Sequence, residues 1–176
     1  VIYSPADPPP PAVIIITPSS AETYSTGTSL LTLGGTASDN VGVTQVSWTN
    51  DRGGSGTASG TTSWSVSGLA LQSGTNLLSV TARDAAGQTR TVTLTVTYTP
   101  PITYYTLSVF VGGSGKVTST PSGIDCGIAC RAAFGANTTV TLTATPATRS
   151  TFTGWGRACA GTGPCTLTLT KAKSVT

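Results

Sequence analysis

The residues with the most distinctive chemistry in this sequence are its four cysteines, all in the C-terminal third of the chain: Cys126, Cys130, Cys159 and Cys165. Histidine is absent, and neither the CxxxC nor the CxxxxxC spacing matches a common zinc or redox motif. Paired cysteines in a chain with few lysines are typical of an oxidising compartment. The sequence therefore predicts disulfides, no cofactor, and a secreted or cell-surface protein.

The pairing of the four cysteines has three solutions. Two short local loops would each contribute about 2 kcal/mol, whereas a crossed link such as Cys126–Cys159 would contribute nearer to about 4 kcal/mol. Gly127 in the first pair and the AGTGP segment in the second indicate tight turns that join close neighbours. The turns favour Cys126–Cys130 and Cys159–Cys165, and crossed pairing stays open.

Catalytic residues are hard to find in this sequence. The absence of histidine excludes Ser-His-Asp and Cys-His constellations. The six acidic residues are scattered along the chain, and Glu22 is the only glutamate. Nothing in their local contexts predicts a pair that converges on a cleft, as glycoside cleavage would require. We expect a protein that is not an enzyme.

The elements that must position these residues are predicted to be strands. Only 9 % of residues are charged, and helix formers are scarce beside Thr, Ser and Gly. Short alternating runs recur at regular spacing, and we place them at Val13–Thr17, Ser29–Thr36, Val43–Asn50, Thr62–Ser67, Asn76–Arg83 and Thr89–Tyr98. About seven short strands separated by turns favour a β-sandwich over residues 13–99, with Trp48 and Trp64 in its core.

Two proline-rich linkers, residues 1–12 and 100–103, each precede one module. In residues 104–176 we predict a hairpin made of 105–111 and 116–120, and three further strands at 138–145, 151–155 and 164–170. The predicted fold class is all-β: an immunoglobulin-like β-sandwich followed by a small disulfide-stapled β-rich module.

The first module carries a family resemblance. GTASDNVGVTQVSWTN, GTTSWSVSGLALQSGTN and VTARDAAGQTRTVTLTVTY closely resemble the bacterial Ig-like modules that occur in arrays on secreted and surface proteins. The resemblance covers residues 13–99 and implies an Ig-like sandwich in which Trp48 lies on the strand equivalent to C.

The second module resembles the divergent InlB-type B-repeat over residues 104–176, through VGGSGKVTSTPSGIDCGIAC, TVTLTATPATRSTFTGW and ACAGTGPCTLTL. Arg149 stands where such modules usually have glycine, and Gly156-Arg157 replaces a usual Ser-Gly. These changes add positive charge near Trp155, so we predict a contact surface of Arg149, Trp155 and Arg157. Such modules usually continue past KSVT, and we expect another segment to complete the last strand.

A calcium site is a further prediction from the sandwich. The B–C and F–G loops of an Ig-like fold lie at the same end, which would bring Asp39 and Asn40 close to Asp84. Carboxylates and backbone carbonyls are the oxygen ligands that calcium prefers. The alternative is that these side chains cap their own turns.

The charge is unequal between the two halves. Residues 1–100 carry five acidic and three basic side chains, a net charge of −2, and residues 101–176 carry one acidic and six basic, a net charge of +5. No basic run interleaved with aromatics predicts nucleic-acid binding, and no apolar stretch reaches the ~20 residues of a membrane span.

These patterns predict a non-catalytic structural or adhesive segment of a bacterial extracellular or surface protein. Its expected partners are other copies or neighbouring modules of the same protein, and a fibre-forming subunit is the sharper version. The alternative is a carbohydrate-binding accessory module of a secreted hydrolase. A glycan or an anionic cell-surface polymer is the other expected partner of the chain.

Overall fold

The computed structural model describes residues 9–127 and 130–176, and every regular element within these ranges is a β-strand. The all-β class predicted from the sequence is confirmed. The chain divides into two compact units between Pro101 and Ile102, which we call the N-terminal module (residues 9–101) and the C-terminal module (residues 102–176). Within the described residues, no helix has the length and apolar character needed to cross a membrane.

The N-terminal module is a β-sandwich of eight strands. They are β1 Ala12–Thr17, β2 Thr23–Thr26, β3 Leu30–Ser38, β4 Val43–Asn50, β5 Ser55–Thr57, β6 Ser63–Ala70, β7 Gly74–Asp84 and β8 Thr89–Tyr98. One sheet has the order β1-β3-β6 and the other β2-β8-β7-β4-β5, and β2 runs parallel to β8 while the other pairs are antiparallel. The chain passes from sheet to sheet in the order of an immunoglobulin-like sandwich.

The core of the N-terminal module is built by the alternation of these strands. Leu78 and Val80 on β7, and Leu94 and Val96 on β8, are fully buried, as the alternating pattern predicts. Each such side chain contributes roughly 1.5–3 kcal/mol when it leaves water. The buried residues of both sheets form one continuous cluster, which holds the two sheets together.

The two tryptophans of this module differ in position. Trp64 is buried in the core, as predicted. The prediction that Trp48 is a core residue is corrected, because its ring is half-buried and packs against the margin of the core. β5 pairs alongside β4, and this places Gly56 opposite Trp48, where a Cβ would lie 3.1 Å from Nε1 of the indole. The ring therefore lies against Gly56 of β5 and against Gly54 in the turn before it.

Two buried asparagines close one end of the sandwich. Asn50 Nδ2 donates to Asn76 Oδ1 at 3.2 Å and to the Ala70 carbonyl at 3.3 Å. Asn76 Nδ2 donates to the carbonyls of Gln72 and Gly74, and Asn76 Oδ1 also accepts from the Gln72 amide. Both side chains are thus paired in a site with little water, where an unpaired polar group would be costly. The network ties β4 to the loop between β6 and β7.

The C-terminal module consists of two small sheets around a second core. Its strands are β9 Tyr104–Val109, β10 Gly115–Thr120, β11 Arg131–Gly135, β12 Thr139–Pro146, β13 Cys165–Thr168 and β14 Lys173–Val175. One sheet has the order β10-β12-β13 and the other β11-β9-β14, with β14 parallel to β9. Buried side chains from both sheets form a core cluster of their own.

The predicted hairpin of residues 105–111 and 116–120 is wrong. β9 pairs with β11 and β14, whereas β10 pairs with β12. Leu107 and Val109 on β9 and Val117 on β10 face the same core from opposite sheets. A hairpin would place both strands in one sheet and leave that core open on its other side. The glycine-rich connection between them therefore crosses from one sheet to the other.

Two other predictions for this module need correction. Residues 151–155 form an irregular segment instead of a strand, with one bridge from Trp155 to Gly161. The last strand, β14, is occupied on both edges, because β9 pairs with one edge and residues 156–158 bond the other. Val175 is fully buried there. Residues 173–175 therefore offer little free edge to another segment.

Candidate functional site

The two loops that carry the predicted calcium ligands touch each other. Asp39 lies between β3 and β4, where its Oδ2 accepts from the Val41 amide at 2.8 Å. The Ala85 amide, in the turn between β7 and β8, donates to the Gly42 carbonyl at 3.2 Å. The structure therefore brings the loop of Asp39 and Asn40 against the turn that begins at Asp84.

Asp84 is the most deeply buried acid of the described chain, at 2 % exposure. Its Oδ1 accepts from the Gln88 amide at 2.8 Å, and its Oδ2 is buried without a hydrogen-bond partner. Across residues 9–127 and 130–176, no cluster of three or more His, Cys, Asp or Glu side chains could hold a metal ion. Both aspartates cap turns, and the calcium site stays a prediction that would depend on backbone carbonyls.

The four cysteines pair locally in the structure. Cys126 bonds Cys130 with their Cα atoms 4.8 Å apart, and Cys159 bonds Cys165 at 5.8 Å. The first disulfide also connects the two sheets, because the Cys126 amide donates to Val117 on β10 and the Cys130 carbonyl accepts from Val109 on β9. The second fixes the irregular segment before β13. These staples restrain the turns around the core and leave no free thiol in the chain.

Trp155 was predicted to belong to a contact surface with Arg149 and Arg157, and the structure places its side chain almost entirely inside the module. The side chain is only 8 % exposed. Its Nε1 donates to the Gly163 carbonyl at 2.7 Å, and its ring meets Phe152 edge to face with centroids 4.9 Å apart. An indole that packs in this way satisfies its polar atom internally. Trp155 is therefore part of the packed interior of the C-terminal module.

A cleft of about 820 Å³ opens beside Trp155. It lies between the crossing that follows β9, the start of β10 and the irregular segment 150–156. Phe110 and Val111 are exposed at its rim, at 54 % and 42 %, and the Phe152 ring lies partly buried within it. Sequence reasoning missed Phe110, because its exposure depends on the course of the irregular segment.

Two arginines flank the 150–156 wall of this cleft. Arg149 precedes the wall and Arg157 follows it, and both have a φ of 68°. This left-handed region is unfavourable for residues with a side chain and is the region that glycine prefers. The guanidinium of Arg157 lies 5.2 Å from the centre of the Phe110 ring and donates to the Ser174 hydroxyl at 3.3 Å. Arg149 is exposed.

Two of the remaining acidic residues have structural partners. Asp125, the only acidic residue in 102–176, forms an ion pair with Lys116 at 2.9 Å. Asp51 Oδ1 accepts from the Leu77 amide at 2.7 Å. These carboxylates, like those of Asp39 and Asp84, hold strands and turns in place.

Comparisons with known proteins give limited information. No protein-family model matches the chain. No curated protein matches it either. A solved structure of the Clostridium thermocellum CbhA fibronectin(III)-like modules is similar at 14 % identity, covering 93 % of this chain and 95 % of that chain, with a TM-score of 0.39. A likeness this distant says nothing about function.

Proposed function

We propose that the chain is a non-catalytic structural and adhesive segment of a bacterial extracellular or surface protein. The observation that carries the proposal is the presence of two β-modules, each with its own complete core, joined by a short linker that contains Pro100 and Pro101. Such independent units are the usual parts of extended multidomain surface proteins. The carboxylates that could act in catalysis instead accept hydrogen bonds from backbone amides or form an ion pair.

The extracellular location is supported by the two disulfides, since such bonds persist mainly in oxidising compartments. We also propose that the C-terminal module is a divergent InlB-type B-repeat. Its cysteine spacing and its TATP and FTGW segments support that assignment.

A fibre-forming subunit is the sharper version of this proposal. β1 is an edge strand of its sheet, carries no charge, and exposes Ile14 and Ile16 at 54 % and 50 %. Uncharged edges with exposed apolar side chains favour pairing with another strand. Sedimentation and electron microscopy of the full chain over a range of concentrations test this version. Monomers at high concentration would contradict it and leave the structural role intact.

The alternative, a carbohydrate-binding accessory module of a secreted hydrolase, is favoured by one observation. The C-terminal module has an open cleft with aromatic side chains at its rim and wall. Aromatic rings supply flat apolar surface of the kind on which a sugar ring can pack.

The adhesive role is tested with the full chain exported to a bacterial periplasm. We expect no reactive thiol with a maleimide dye, resistance to protease, and co-sedimentation with purified cell-envelope material. Incubation with glycan and ester substrates is expected to give no products. Turnover that follows the purified chain through two columns would overturn the proposal, and so would a failure to bind any envelope fraction.

A further inference from the structure

We propose that the cleft of the C-terminal module binds an acidic polysaccharide. A sugar ring would pack on the exposed Phe110 at the rim and on the partly buried Phe152 behind it, and its carboxylates would pair with Arg149 and Arg157. The inference rests on the proposed adhesive function and names the class of its partner.

The size and lining of the cleft suit a short stretch of sugar chain. Its volume of about 820 Å³ is in the range of small-molecule sites, which is roughly 300–1,000 Å³. Phe110 and Val111 form apolar surface at the rim. Thr151 and Thr153, both exposed along the wall, offer hydroxyl groups to the same space. Apolar rings beside hydroxyl groups match the two kinds of surface that a sugar presents.

The charge of the module favours an anionic ligand. Residues 102–176 carry six basic side chains and one acidic side chain, Asp125. That single carboxylate is already paired with Lys116, which itself lies in the lining of the cleft. The positive charge of Arg149 and Arg157 is therefore left without an opposing carboxylate side chain from this module. Such a field attracts anions and disfavours cations.

The backbone at the two arginines points to a role beyond folding. Both have a φ of 68°, which a glycine would adopt without cost, and both stand at the ends of the same cleft wall. Unfavourable backbone conformations of this kind cluster at active sites and ligand clamps. Arg157 is also held in place by the Phe110 ring and Ser174, so its planar guanidinium is preorganised at the mouth of the cleft.

A carboxylated sugar fits these features better than a neutral one. Guanidinium groups bind carboxylates through two parallel hydrogen bonds, and this bidentate pairing gives geometric specificity. A neutral glycan would offer neither arginine a carboxylate to pair with. A uronic-acid polymer presents a carboxylate on a ring that can pack against the aromatic rim.

The test is affinity electrophoresis and calorimetry of the full chain with polygalacturonate and alginate, with dextran and pullulan as neutral controls. We expect the two acidic polymers to retard the chain and the neutral ones to leave it unretarded. Arg149→Gly with Arg157→Gly should weaken binding at least tenfold, because glycine keeps the backbone conformation and removes the cations. Phe110→Ser should weaken binding without any change in net charge.

Arg131→Ala is the control, since Arg131 is exposed on β11 and, unlike Arg149 and Arg157, does not flank the 150–156 wall of the cleft. It should have little effect. Equal weakening by Arg131→Ala and by Arg149→Gly alone, each of which removes one positive charge, would show diffuse charge attraction and overturn the inference. Equal binding of dextran, or of anionic phospholipid vesicles, would also overturn it. A chain that still binds envelope material but neither acidic polymer contradicts this inference alone and leaves the proposed function standing.

Discussion

The two modules hold a pair of sheets together by different means. The N-terminal module has sheets of three and five strands, a core of aliphatic side chains with Trp64, and a buried asparagine network. The C-terminal module has two sheets of three strands, and within residues 102–127 and 130–176 much of its chain is irregular. All four cysteines lie in it. Small domains bury a smaller fraction of their surface, so covalent links replace part of the missing burial.

Disulfide removal is expected to have the largest effect on stability. It should destabilise the C-terminal module and leave the N-terminal module unchanged. Replacement of all four cysteines by serine should lower the free energy of unfolding of the C-terminal module by about 4 kcal/mol, from two short loops at about 2 kcal/mol each. The N-terminal module contains no cysteine and should be unaffected. Hydrogen exchange followed by mass spectrometry resolves the two modules in the full chain. Equal loss of protection in both modules would contradict the claim that the disulfides stabilise only the C-terminal module.

The buried asparagine network is expected to stabilise the N-terminal module, as the disulfides are expected to stabilise the C-terminal module. Asn76→Ala removes four hydrogen bonds and leaves the buried Asn50 amide without one of its partners. We expect a loss of about 3 kcal/mol, since buried polar groups are left unsatisfied. The same exchange experiment should show the loss only in the N-terminal module. Thr75→Ala, at an exposed neighbouring position, is the control and should change stability by less than about 0.5 kcal/mol.

A bound calcium ion would stabilise only one of the two modules, because only the N-terminal module has the predicted ligands Asp39, Asn40 and Asp84. Bound calcium is expected to raise the stability of that module by about 2.7 kcal/mol at a concentration one hundred times its Kd. Asp84→Asn should abolish the rise. A thermal midpoint that is the same in calcium and in chelator would assign the carboxylates to turn capping alone.

The smallest expected effect concerns backbone strain in the C-terminal module. Arg149→Gly should raise the stability of this module by about 1 kcal/mol, because the left-handed conformation at φ 68° is unfavourable for a side chain. Arg131→Gly, at the first paired residue of β11, should lower stability instead. Chemical denaturation of the full chain with a probe in each module measures both. A fall in stability for Arg149→Gly would show that the arginine makes a stabilising contact.

The long alternating strands could be predicted from the sequence. The bounds of β4 and β8 agree with the predicted Val43–Asn50 and Thr89–Tyr98, because side-chain alternation continues to both ends of each strand. The short strands β2, β5 and β11 were missed. They have three to five residues, and pairing with a neighbouring strand decides their conformation more than their own pattern does.

The candidate site was predictable only in part. The positions of Arg149 and Arg157 were marked by the resemblance, which expects glycine there, and both have the backbone conformation that glycine favours. The cleft itself was missed, because it forms where residues 150–156 leave regular pairing and where the chain crosses between sheets after β9. Both features depend on contacts between distant parts of the chain, which local periodicity does not encode.

The parallel pairs β2–β8 and β9–β14 have a mechanical consequence. In each module one strand near its beginning lies beside its last strand and runs in the same direction. Tension applied from Tyr104 to Val175, or from Thr23 to Tyr98, would pull the two paired strands in opposite directions along their axes. The hydrogen bonds between them lie across that direction and would be loaded in shear together. Each module would therefore resist stretching through a whole ladder of bonds at once.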